Sequence, residues 1–114
     1  DSFLAKRRRG DDYTCLHFAG DVWEAHTGEK IGGRLAMLHQ AAAGRRFSRR
    51  DVAAFRKLPA PVDPSIVLFR SPFNGPPHVG VYIRGKVLHL GATAGRYERL
   101  DIAQAAYASV EFYQ

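Results

Sequence analysis

Between residues 14 and 27 the apolar side chains Cys15, Phe18, Ala19, Val22 and Trp23 recur at steps of three and four, which sets one buried stripe on a helix. Gly28 follows, where a left-handed residue ends many helices. Residues 34–43 repeat the pattern with Leu35, Leu38 and Ala42 ahead of Gly44, predicting a second, short helix. Ser48 and Asp51 stand at capping-box spacing before Val52, Ala53 and Phe55, so a third helix is expected, ending near Leu58. Pro59, Pro61 and Pro64 then forbid helix and set an extended connection.

Beyond that connection the period changes. Residues 66–70, 79–84 and 86–90 are rich in β-branched and aromatic side chains, and Gly85 sits where a tight turn fits, so a strand followed by a hairpin is expected. Asp101 is expected to cap a short helix over 102–107, and residues 110–113 alternate as a closing strand. Helices first and an antiparallel sheet afterwards is the order of an α+β fold, with the N-terminal helices packed on a small sheet. A chain of 114 residues fits one domain over 1–114, in which 1–10 reads as a flexible basic segment.

Composition narrows the partners. With 46% hydrophobic and 25% charged residues the chain has the balance of a protein that buries a core, which excludes a wholly disordered class. Its longest apolar stretches, at 65–69 and 87–90, fall far short of the roughly 20 residues of a membrane span. The basic run at 6–9 is followed by no apolar region or small-residue cleavage site, so no signal peptide is read there. The net charge of +6 favours anionic partners, and it is concentrated at 6–9 and at Arg45, Arg46, Arg49 and Arg50. Those four arginines read as a solvated helix face or as a grip on an anionic polymer. No recognised nucleic-acid motif accompanies them, which makes nucleic acid the weaker partner.

The single cysteine cannot form an internal disulfide and is left for chemistry. Cys15 falls at the start of the first helix, where unpaired N–H groups and the positive end of the dipole stabilise an anion. A thiolate is favoured there, below the free-thiol value of about 8.5, and the same N–H groups can receive the oxyanion of an attacked carbonyl. A lone cysteine on an apolar helix face is more often a small buried side chain, so the rest of the chain has to decide. His78 opens the strand that should face this helix, and His89 lies on the returning strand, so one imidazole can orient the other as base and orienter do in a triad. Zinc binding by Cys15, His17, His26, His78 and His89 is disfavoured, because Cys15 and His17 point apart on a helix; His17 and His26 read as surface or structural residues.

The combined pattern carries a family resemblance. Residues 12–18 (Asp-Tyr-Thr-Cys-Leu-His-Phe), 63–69 (Asp-Pro-Ser-Ile-Val-Leu-Phe), 78–83 (His-Val-Gly-Val-Tyr-Ile) and 87–89 (Val-Leu-His) resemble, in order, the NlpC-type papain-like cell-wall cysteine peptidases. The resemblance implies Cys15 as nucleophile, His78 as general base, His89 as the residue that orients it and Tyr13 as an aid to the oxyanion site. It implies no cofactor. It implies hydrolysis of an amide in peptidoglycan stem peptides through a thioester, by a periplasmic, secreted or phage-particle protein. The flanks depart from the family, with Thr14-Cys15-Leu16-His17 in place of Asp-Cys-Ser-Gly and Val62-Asp63-Pro64-Ser65 in place of Pro-Gly-Asp-Leu, which puts substrate details out of reach. A shorter likeness, the cysteine followed by an aromatic and Asp21-Val22-Trp23, is to peptidases of phage tails. Two other classes stay open: a catalytically idle papain-like module of a larger assembly, and a basic nucleic-acid-binding domain.

Overall fold

The computed structural model describes residues 2–7, 13–42, 55–72 and 75–114. Helix α1 spans Cys15–Thr27 and α2 spans Gly32–Ala42. The strands are β1 (Lys57–Leu58), β2 (Ser65–Arg70), β3 (His78–Ile83), β4 (Lys86–Leu90), β5 (Gly95–Glu98) and β6 (Ser109–Tyr113), with a short α3 (Leu100–Ala103) between the last two. They form one antiparallel sheet in the order β1-β6-β2-β3-β4-β5, and with the three α-helices found among the described residues this is an α+β architecture.

The first helix forms as its periodicity requires. Cys15, Phe18, Ala19, Val22 and Trp23 are its buried residues, and Gly28 ends it at φ 80° while donating its N–H to Glu24 O at 2.7 Å. This stripe meets Val79, Val81 and Ile83 of β3 and Leu88 and Leu90 of β4, with Leu35 and Leu38 of α2 and Ile31 just before it closing the core. Strand alternation sends the intervening residues to the other face, where Val67, Phe69 and Val87 pack with Ala103 and, at the margin, Tyr82, Leu100 and Tyr107.

Two expectations need correction. Phe55 is a bend, and Lys57–Leu58 is strand β1 rather than the end of a helix. Its backbone is captured by the chain end, with Arg56 and Gln114 exchanging N–H···O bonds of 3.1 and 2.9 Å. The rest of that expected helix lies outside the described residues, as do Arg45, Arg46, Arg49 and Arg50. Asp101 does not cap α3, which begins behind Arg99; the carboxylate sits in the first turn and accepts two hydrogen bonds from the Arg99 guanidinium, at 3.1 and 2.7 Å. Residues 2–7 make contacts with the rest of the fold. A 3₁₀ turn at Ser2–Ala5 sets the Phe3 ring edge-on to Phe18 at 5.9 Å, and Lys6 O accepts the Gly95 N–H of β5 at 2.9 Å.

Register explains the glycine of the His-Val-Gly sequence. Gly80 of β3 pairs with His89 of β4, and a Cβ built on it would stand 2.9 Å from both His89 Cβ and Val87 Cγ1. The missing side chain is the space that His89 occupies. Gly80→Ala is expected to cost about 1–3 kcal/mol through overpacking, seen as a lowered urea midpoint in chemical denaturation; an unchanged midpoint would contradict the packing described.

Candidate active site

Thr14 is the N-cap of α1, extended at φ −111° and ψ −179°, and its N–H donates to His17 Nδ1 at 3.1 Å. His17 thereby takes the part that Glu or Gln plays in a capping box. Cys15 is the first helical residue, is 7% exposed and belongs to the core, at the helix end where backbone N–H groups lack intrahelical partners and the dipole is positive.

The far end of α1 fixes which way the helix runs. His26 Nε2 is 3.5 Å from Asp63 Oδ1, and Asp63 Oδ2 accepts the N–H of Arg84 at 3.1 Å, in the turn between β3 and β4. The last turn of α1 therefore lies over the hairpin turn, and its first turn lies over the opposite end, where β3 begins. The thirteen residues of α1 and the six of β3 each span about 20 Å. Cys15 and His78 thus occupy the same end of the sheet. They reach it from different sides: Cys15 belongs to the core under α1, whereas alternation puts His78 with Phe69 and Tyr107 on the other face.

On that face His78 starts a buried hydrogen-bonded chain. His78 Nε2 is 2.8 Å from His89 Nδ1, and His89 Nε2 is 2.8 Å from Glu98 Oε1. Glu98 Oε2 accepts from Arg96 NH2 at 2.9 Å. His78 and His89 are 8% and 6% exposed. Tyr107 stacks on His78 at 5.7 Å between ring centroids, and Phe69 flanks both imidazoles. The start of β3 is itself held: His39 of α2 donates its Nε2–H to Pro77 O at 3.0 Å, and the Ser71 hydroxyl donates to Pro76 O at 2.8 Å. Burial pulls the His89 pKa below the ordinary 6.5, against the opposing pull of Glu98, so His89 is neutral at neutral pH. An open cleft of about 520 Å³ runs past His78, His89, Glu98 and Tyr107; Cys15 does not line it.

Tyr13 is buried beside the start of α1. Its hydroxyl donates to Asp21 Oδ2 at 2.8 Å, its ring stacks on His17, and Lys6 Nζ stands 5.2 Å from the ring centroid. The one phenolic proton is therefore directed along α1 to Asp21. His17 and His26 are placed by the cap and by Asp63. Among the described residues no group of three or more His, Cys, Asp or Glu is arranged to hold a metal ion, and no helix is long and apolar enough to cross a membrane.

Two members of the site escaped sequence reasoning. Glu98 lies in a strand of sequence Gly-Arg-Tyr-Glu, which has no apolar alternation to reveal it. His39 sits on the flank of α2 and acts only through the backbone of Pro77. The one available signal for Glu98 was its position as the first carboxylate after His89 in the sequence. No family model matches the chain, and no curated protein or solved structure does either.

The lowered His89 pKa makes stability depend on pH. Below 6.5 the unfolded chain protonates this histidine before the folded chain does, so the unfolded state binds more protons and stability falls as the pH falls. Above 6.5 the contribution is complete. Urea midpoints are expected to drop between about pH 7 and about pH 5, and less so in His89→Gln; equal slopes in the two proteins would show that His89 is not the group responsible.

Proposed function

We propose that the chain is a divergent papain-like cysteine hydrolase of the NlpC type that cuts an amide bond in peptidoglycan stem peptides. The observation that carries this reading is the buried His78–His89–Glu98 chain, whose first member, His78, lies at the end of the sheet over which α1 begins with Cys15. Two imidazoles buried in series make a costly core and a good proton acceptor. The order of the site residues and the His-Val-Gly hairpin support the family, while the residues flanking Cys15 keep the substrate assignment at the level of wall peptides.

In this mechanism His78, oriented by His89, takes the Sγ proton, and the Cys15 thiolate attacks the amide carbonyl carbon. The developing oxyanion is met by the N–H of Cys15 at the start of α1. Tyr13 assists there once its proton leaves Asp21. The intermediate collapses to a thioester as the imidazolium of His78 returns the proton to the departing amine. Water, deprotonated by His78, then attacks the thioester, and the carboxylate and the thiol are released.

Mass spectrometry of muropeptide digests tests substrate and nucleophile together. The protein is expected to release shortened stem peptides, Cys15→Ala to release none while remaining folded, and His78→Ala to lose about 10²–10⁴-fold in rate. Cleavage by Cys15→Ala at the rate of the unaltered protein would overturn the assignment. Duplex DNA binding that falls steeply with salt, in a protein inert toward muropeptides, would favour a nucleic-acid role instead.

A further inference from the structure

We infer that Glu98 is a positioning residue that sets the tautomer of His89 and, through it, that of His78, so that His78 meets Cys15 with a lone pair rather than a proton; the catalytic half of this statement rests on the function proposed above. The inference follows from counting protons along one line of contacts. A carboxylate only accepts hydrogen bonds. Glu98 Oε2 already accepts from Arg96 NH2 at 2.9 Å, and Oε1 stands 2.8 Å from His89 Nε2. The proton of that second bond therefore sits on His89 Nε2.

His89 is 6% exposed, and burial holds it neutral, so it carries one ring proton and its Nδ1 is a lone pair. The 2.8 Å contact between His89 Nδ1 and His78 Nε2 is then a hydrogen bond donated by His78. Neutral His78 consequently keeps its Nδ1 unprotonated, the form a general base requires. With the opposite polarity His89 would donate from Nδ1, His78 would accept at Nε2, and its Nδ1 would already hold a proton. An imidazole pair alone is equally satisfied by either arrangement. Glu98 breaks the tie.

Arg96 makes the outcome of one substitution definite. In Glu98→Gln the side chain keeps its shape, and the Arg96 guanidinium, which can only donate, holds the amide oxygen. The amide NH₂ is then left facing His89 Nε2 and donates to it. That forces the proton of His89 to Nδ1 and the proton of His78 to Nδ1 as well. A carboxylate-to-amide change more than one residue removed from the thiol should thus invert the hydrogen-bond polarity of the whole chain without moving its atoms.

The test is long-range ¹H–¹⁵N correlation NMR on protein labelled in the histidine rings, at neutral pH, paired with muropeptide hydrolysis. In the unaltered protein both His78 and His89 are expected as Nε2–H tautomers, and in Glu98→Gln both as Nδ1–H tautomers, with hydrolysis lowered about 10²–10⁴-fold by loss of the base. A His89 protonated at Nδ1 in the unaltered protein, or tautomers that Glu98→Gln leaves unchanged, would overturn the inference even if the variant is destabilised. Switched tautomers with undiminished hydrolysis would overturn the catalytic half. Switched tautomers in a protein that hydrolyses nothing even when unaltered would sustain the control by Glu98 and sink the hydrolase reading alone.

Discussion

The packing of α1 along the β3–β4 hairpin sets where everything else can be. Phe18, Ala19, Val22 and Trp23 lie against Val79, Val81, Ile83, Leu88 and Leu90, and each large side chain buried there contributes about 1.5–3 kcal/mol. The helix and β3 have nearly equal reach and run the same way, with the pairing of His26, Asp63 and Arg84 marking their common far end. The near end therefore brings together the positive terminus of a helix and the first residue of a strand. A cysteine and a histidine far apart in the chain come to one end of the sheet for this reason.

The other face of the sheet is organised around a polar problem. His78 and His89 are each less than a tenth exposed, and a buried ring nitrogen without a partner would cost about 1–3 kcal/mol. The solution is a line in which each imidazole satisfies the next, ending on Glu98 and on Arg96 at the rim, where water takes over. Gly80 makes room for His89, and Phe69 and Tyr107 wall in the pair. Among the described residues no buried side-chain nitrogen or oxygen lacks a hydrogen-bond partner. A purely structural core would be simpler with apolar residues in these places, and the sites where a protein departs from local economy are where function is sought.

Much of this was legible in the sequence, for identifiable reasons. The three- and four-residue steps of α1 place all five of its buried residues, and the turn at Arg84 and Gly85 is tight enough to be read from its neighbours. The histidine pair was legible because both residues lie on a hairpin whose register the short turn fixes. The identity of β1 was not, since Lys57–Leu58 is strand only by pairing with residues at the other end of the chain. Nor was β6 legible as an inner strand, because its place between β1 and β2 is a matter of topology. Glu98 was hidden on an outer strand whose polar residues give no periodic signal, and the face that His78 occupies followed only once Val79 was seen beneath α1.

The central claim of the proposal is that Cys15 and His78, brought to one end of the sheet from its two faces, act as one ionising pair. The rate at which iodoacetamide alkylates Cys15 across pH, in the unaltered protein and in His78→Ala, tests it most directly. A thiolate supported by His78 and by the start of α1 should alkylate well below the free-thiol value of about 8.5, and that low-pH reactivity should vanish in the variant. Identical pH profiles for the two proteins, or a thiol that does not react until the chain unfolds, would contradict the account.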